Sequence, residues 1–114
     1  MNPEVKIDFL AALRSGKAQA TGVLCEIKKG VECFCASGLL AELALAAGVI
    51  VEKTLIDDSF PMLPFYQYDG HGARLPATVM EWAGIDFIAA NKIIRMNDNG
   101  KTFEEIADWV EVNL

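Results

Sequence analysis

The stretch from Gly22 to Gly48 constrains the fold of this chain more than any other. Its first half is apolar and strand-like on both sides of Lys28-Lys29-Gly30, where Gly30 can supply the left-handed residue of a hairpin turn. Its second half is rich in leucine and alanine and ends at Gly48, which is typical of a helix buried on nearly all sides. The sequence therefore predicts a β-hairpin over residues 22–35 that leads directly into a central helix.

Two turns are compatible with this hairpin. A three-residue loop centred on Lys29 pairs Cys25 with Cys33, whereas a two-residue turn at Lys29-Gly30 shifts the register by one and pairs Cys25 with Phe34. The three-residue loop gathers six apolar side chains on one face of the sheet, because strand side chains alternate between faces. These are Val23, Cys25, Ile27, Val31, Cys33 and Cys35. The match of apolar side chains favours the three-residue loop.

Capping residues mark the helices of the remaining chain. Asn2 is a suitable N-cap for a first helix, Ser37 for the central helix, and Thr102 forms a capping box with Glu105 at the start of the last helix. Two further helices are predicted over residues 76–84 and 89–99. The chain thus contains four to five helices.

The remaining strands follow the central helix. Residues 49–56 are β-branched at their start and predict a third strand, and Phe65–Tyr68 predict a short pairing. Pro61 and Pro64 favour a loop between them, and the two glycines of residues 69–72 favour a turn. We therefore expect a single α+β domain over residues 1–114. Its small antiparallel sheet consists of the hairpin 22–35 plus a strand near 49–56, covered by the helices.

Composition excludes several classes of function. The net charge is −6 and the basic residues are scattered, which argues against direct binding to nucleic acid. No segment approaches the roughly 18 apolar residues of a membrane helix, so no membrane contact is expected. The first residues lack the basic and apolar regions of a signal peptide. We expect a cytoplasmic protein.

The three cysteines are predicted to be reduced core residues. Zinc binding by Cys25, Cys33 and Cys35 with His71 is an alternative, but a flat strand holds Cys33 and Cys35 about 6.6 Å apart, which is long for ligands of one ion. A disulfide between Cys25 and Cys33 is sterically conceivable and is disfavoured by the reducing cytoplasm. We therefore expect neither a metal nor a cofactor.

Candidate binding residues surround the predicted glycine turn. They combine planar rings with charged or polar ends, as binding surfaces often do, and are Tyr66, Tyr68, Asp69, His71 and Arg74. The chain contains no nucleophile elbow, no H-E-x-x-H motif and no glycine-rich nucleotide fingerprint. An assembled catalytic set is therefore not expected.

Several short motifs resemble those of a group of small bacteriophage and prophage proteins. In chain order they are Leu13-Arg14-Ser15-Gly16-Lys17, Phe34-Cys35, Leu75-Pro76, Glu81-Trp82-Ala83-Gly84 and Asn97-Asp98-Asn99-Gly100-Lys101 followed by Phe103 and Glu105-Ile106-Ala107. The similarity runs from end to end and thins between residues 49 and 74. Related chains carry cysteines at the positions of Ala36 and Ala41, so the resemblance implies no shared thiol chemistry. It implies a phage origin, and with it the cytoplasm of a host cell, but no particular reaction.

These observations support three hypotheses of function. The leading one is a phage accessory protein that acts by binding, as a counter-defence factor that sequesters or blocks a host protein or a signalling nucleotide. A second is a small hydrolase-like enzyme that uses His71 with Asp69 or with the pair Asp57-Asp58. The third is a self-associating structural protein whose homodimer buries Leu24 and Phe34.

Overall fold

Five helices and one four-stranded antiparallel sheet make up the fold, in a computed structural model that describes residues 1–114. The helices are α1 (Pro3–Leu13), α2 (Ala36–Ala46), α3 (Ala77–Ala83), α4 (Phe87–Asp98) and α5 (Phe103–Asn113). The strands are β1 (Cys25–Lys28), β2 (Val31–Phe34), β3 (Lys53–Ile56) and β4 (Phe65–Tyr68). The predicted α+β class is confirmed. None of the helices combines the length and the apolar character needed to cross a bilayer.

The strands lie in the order β2-β1-β4-β3, so β1 and β4 are central and β3 is an edge. The third strand is shorter than the predicted range 49–56, because the backbone just before it bonds to a side chain instead of a strand. The Asp69 carboxylate accepts hydrogen bonds from the N–H groups of Val51, at 3.1 Å, and Glu52, at 2.8 Å. The predicted loop at the prolines connects β3 to β4.

The hairpin between β1 and β2 has the two-residue turn, so the prediction of a three-residue loop was wrong. Lys29 and Gly30 have φ angles of 53° and 77°, the left-handed conformation that a type I′ turn requires at both positions. The partner pairs are Cys25–Phe34, Glu26–Cys33, Ile27–Glu32 and Lys28–Val31. Cys25 and Cys33 therefore lie on opposite faces, and Val31 is 54% exposed. The match of apolar residues on one face predicted the wrong register because both faces of this hairpin are partly buried.

Helix α2 is the central helix, as predicted, and seven of its residues are buried. It begins earlier than expected: Cys35, and not Ser37, is the N-cap, and its Sγ accepts a hydrogen bond from the Gly38 N–H at 3.3 Å. The reason is that β2 ends at Phe34, so no residues remain for a connection. Helix α2 also closely approaches Leu24, the residue just before β1, because a Cβ at Gly38 would overlap the Leu24 carbonyl oxygen.

Local capping signals set the other helix ends. The Asn2 side chain accepts from the Glu4 N–H at 3.0 Å, and both halves of the capping box between Thr102 and Glu105 are present. Gly84 ends α3 in a left-handed conformation, with φ 70°. These predictions are confirmed because caps depend on a few neighbouring residues.

Candidate functional site

The five residues predicted to form a binding surface differ in burial and in their contacts. Tyr66 is half-buried, and Tyr68 is wholly buried because β4 is a central strand, so its expected place on the surface is wrong. The Asp69 carboxylate accepts hydrogen bonds from the backbone N–H groups that precede β3. His71 is exposed in the turn after β4, and the exposed Arg74 lines a small cavity near α3.

Lys53 is the centre of a polar cluster between the sheet and α2. Its ammonium lies 2.7 Å from a carboxylate oxygen of Glu32 and 3.2 Å from one of Glu42. It also lies 4.5 Å from the centroid of the Tyr66 ring, within the range of a cation–π contact. The Lys53 side chain is 18% exposed, so these contacts are partly shielded from water.

The charges of this cluster stabilise one another. A hydrogen bond from Lys53, together with its charge, holds the pKa of Glu32 below its usual range. Burial acts to lower the pKa of Lys53, but the hydrogen bonds and charges of Glu32 and Glu42 raise it above its ordinary value. The cation therefore stays protonated at neutral pH and ties β2, β3 and α2 together.

Two neutral groups lie beside these charges. The Tyr68 hydroxyl is buried without a hydrogen-bond partner, and burial raises its pKa, with Glu42 and Cys25 nearby. Burial also raises the pKa of the Cys25 thiol to about 12, and this thiol donates to Glu32 at 3.5 Å. A nucleophile or general base must lose its proton near neutral pH, so neither group is suited to that work. The cluster is an internal support of the fold.

Replacing Lys53 by methionine tests this role. We expect a destabilisation of about 2 kcal/mol at pH 7, between the values typical of exposed and of buried ion pairs. The lowered pKa of Glu32 contributes stability above its unfolded value, near 4.5, and this is lost as the pH falls through its folded pKa. The difference between the two proteins in urea denaturation should therefore shrink on acidification. Lys28→Met, at an exposed lysine without a carboxylate partner, is the control, and equal effects of both changes would contradict the prediction.

All three cysteines are free and buried, which confirms their expected place in the core. Cys35 caps α2, and burial raises its pKa to about 11. The expectation that the thiols share one face of the sheet is wrong, since the hairpin register separates Cys25 from Cys33. No group of three or more potential metal-ligating side chains is present.

His71 is not oriented by the carboxylates named in the enzyme hypothesis. Both carboxylate oxygens of Asp69 bond to the backbone that precedes β3. Asp57 and Asp58 lie in the loop before β4, whereas His71 follows β4 and is therefore at the opposite end of the sheet. These groups do not form an acid–base pair in the structure.

Four exposed apolar side chains lie on β3 and in the loop that connects it to β4. Leu55, Phe60, Met62 and Leu63, which we call the β3–β4 loop surface, are 40%, 93%, 56% and 41% exposed. The loop is held by its own backbone, since the Met62 N–H donates to the Ser59 carbonyl at 2.9 Å. The Pro64 carbonyl accepts a hydrogen bond from the Ile27 N–H of β1 at 2.8 Å. The apolar side chains are therefore displayed on an ordered support.

This region was missed by sequence reasoning, although a signal was present. Phe60, Met62 and Leu63 are apolar residues placed among prolines in a predicted loop, where a connection would otherwise be polar. Their exposure depends on the sheet order, which leaves the outer edge of β3 without a neighbouring strand. The acidic residues Asp57 and Asp58 lie between Leu55 and Phe60 in the chain.

Comparison with known proteins identifies one family. A family described as "Domain of unknown function (DUF8296)" matches residues 1–114. No curated protein and no solved structure matches the chain.

Proposed function

The chain belongs to this family of domains of unknown function, and we propose that it acts by binding and blocking a surface of a host protein. The observation that carries the proposal is the β3–β4 loop surface, with Phe60 93% exposed at its tip. Large apolar side chains grouped on a surface mark interaction sites more often than single ones do. Aromatic residues also contribute more binding energy than most others at interfaces.

The support of this surface favours binding without a large ordering cost. The loop carries internal hydrogen bonds, from the Met62 N–H and from the Ser59 hydroxyl to the Leu63 carbonyl at 3.3 Å. A side chain that is displayed in a fixed position loses less entropy on binding than one on a disordered loop. The adjacent edge of β3 offers unpaired backbone groups to an extended segment of a partner.

Charge defines the partner further. Asp57 and Asp58 lie among the apolar residues along the chain, which as a whole carries a net charge of −6. The complementary surface is an apolar cleft with a rim of lysine and arginine, and such complementarity accelerates association. A basic site of this kind is common on proteins that handle nucleic acids. The resemblance to phage and prophage proteins supports a host target and a counter-defence role.

The other partners considered have less support. The acidic surroundings of the loop repel the phosphates of a signalling nucleotide. A homodimer through Leu24 and Phe34 is wrong, because these side chains are 0% and 6% exposed. Self-association through the β3–β4 loop surface is a separate outcome that the test below distinguishes.

Phe60→Ala is expected to weaken binding to the host partner at least tenfold, because a central aromatic residue at an interface contributes roughly 2 kcal/mol or more. The folded state should be unaffected, since the ring touches little of the protein. The chain, the Phe60→Ala variant and an Ile88→Ala control, at a 79% exposed position on α4, are each used for capture from host lysate. The captured protein is then purified and its affinity is measured by titration calorimetry.

Two results would contradict the proposal. One is that no protein is captured by both the original chain and the Ile88→Ala control and lost with Phe60→Ala. The other is a dimer in sedimentation velocity that Phe60→Ala converts to a monomer, since the surface would then join two copies of this chain. Weaker association at higher salt is the expected sign of the acidic flanks.

A further inference from the structure

A small cavity between α3 and α4 combines a cationic rim with an apolar wall. Its volume is about 50 Å³. The apolar wall consists of Leu75, Met80, Phe87, Ala90 and Ile94. Arg74 and Asn91 supply the polar groups at its rim. Arg74 and Leu75 precede α3, the other lining residues lie on α3 and α4, and none belongs to the β3–β4 loop surface.

The guanidinium groups near the cavity lack carboxylate partners, which is unusual in an acidic chain. Arg14 forms ion pairs with three carboxylates of α5, whereas Arg74 has no carboxylate within the 4.0 Å that defines an ion pair. Arg95 is also unpaired, and it lies one helical turn from Asn91 on α4. With 16 acidic residues and 10 basic ones, neutralising partners were abundant. Two unpaired guanidinium groups on this side of the molecule create a local preference for an anion.

We propose that this cavity binds an aliphatic group that carries a carboxylate, with the carboxylate on Arg74 and the aliphatic part inside. The planar guanidinium of Arg74 can donate two parallel hydrogen bonds to a carboxylate, and the Asn91 amide can donate a third. The apolar wall accepts a short branched chain. The site is independent of the proposed protein-binding surface.

The size of the cavity selects the ligand class. A cavity that holds benzene measures about 150 Å³, so a nucleobase is too large for this one. A side chain the size of that of leucine or valine fits, partly inside and partly at the mouth. The same chemistry occurs in a free branched carboxylic acid and at the C-terminus of a peptide whose last residue is aliphatic. The experiment separates these two sources.

Titration of the ¹⁵N-labelled chain, followed by NMR, tests the site with three probes: 3-methylbutanoate, N-acetyl-glycyl-leucine and its C-terminal amide. We expect the backbone signals of Asn91 and Ile94 and the side-chain N–H signal of Arg74 to shift with at least one carboxylate. The amide should bind at least tenfold more weakly, because it cannot accept the paired hydrogen bonds of the guanidinium.

Variants at the rim make the test specific. Arg74→Gln should weaken binding at least tenfold. Arg74→Lys should keep only part of the affinity, since an ammonium retains the positive charge but not the planar, paired N–H donors of the guanidinium. Lys92→Gln, which removes a charge from the same helix beside a different groove, should leave binding unchanged. Because Arg74 is exposed and makes no ion pair, the variants should unfold at the temperature of the original chain.

Each result decides the proposal. Binding of both 3-methylbutanoate and the peptide supports a general carboxylate site. Binding of 3-methylbutanoate alone supports a free carboxylic acid as the ligand, and binding of the peptide alone supports a peptide C-terminus. Equal binding of the amide, binding that Arg74→Gln does not change, or the absence of shifts at millimolar concentrations of all three probes would overturn it.

Discussion

Replacing Gly38 by alanine is expected to destabilise the protein by at least about 3 kcal/mol, although alanine normally stabilises a helix interior by about 1 kcal/mol relative to glycine. The opposite sign follows from position, because the new Cβ would overlap the Leu24 carbonyl oxygen and lie 2.7 Å from its carbon. That carbonyl cannot retreat freely. It accepts from the Cys35 N–H at 3.3 Å, and the Leu24 N–H donates to Gly72 at 2.7 Å.

Thermal and urea denaturation measure this effect. The midpoint should fall by roughly 10 °C or more for a domain of this size. Gly100→Ala is the matched control: its φ of 90° disfavours alanine, but nothing lies within 4 Å of the new Cβ, so only a loss of about 1–2 kcal/mol is expected. Similar losses in both variants would contradict the prediction, because the close contact between Gly38 and the Leu24 backbone would then add no cost of its own.

Replacing Asn97 by alanine is expected to cost about 3–4 kcal/mol, because two buried backbone groups would lose their partner at about 1–3 kcal/mol each. Asn97 is 1% exposed near the end of α4. Its Oδ1 accepts from the Ala36 N–H at 3.0 Å and from the Gln19 side chain at 2.9 Å. Its Nδ2 donates to the Ala20 carbonyl at 2.8 Å. One amide therefore joins α4 to the start of α2 and to the segment before β1.

Two further variants make this prediction specific. Asn99→Ala, at an exposed position just beyond the helix, should change stability by less than about 0.5 kcal/mol. Asn97→Asp keeps the acceptor oxygen but places a buried carboxylate against the Ala20 carbonyl. Burial raises the pKa of such a group, so the variant should regain stability as the pH falls and the introduced carboxyl is protonated. A loss independent of pH would contradict this account.

Asn97 also shows that a sequence motif need not mark a chemical reaction. The segment that begins at Asn97 was interpreted from the sequence as a helix end followed by a capping box. The structure confirms the cap at Thr102 and adds the buried contacts of Asn97. A motif in this segment can therefore be required for folding without taking part in chemistry. Shared motifs of this kind support a shared fold more strongly than a shared reaction.

The candidate site was only partly predictable. Arg74 was identified from the sequence, and it lines the cavity proposed to bind carboxylates. Tyr68 was expected at the surface and is buried, since nothing local indicates that β4 lies between two other strands. The exposure of Phe60 and the ion pairs of Lys53 were not predicted for the same reason. Each depends on which strands are neighbours, and those neighbours are distant in the chain.

The sequence by itself determined the α+β class, the central helix and most helix ends, because these depend on composition and on contacts within a few residues. Only the tertiary structure decided the hairpin register, the order of the strands and the surfaces left uncovered. The register depended on a type I′ turn that two adjacent residues can adopt, and apolar side chains on both faces could not distinguish the alternatives. Strand order arises from packing of the whole chain, so the exposed loop and the polar cluster at Lys53 became visible only when the sheet was assembled.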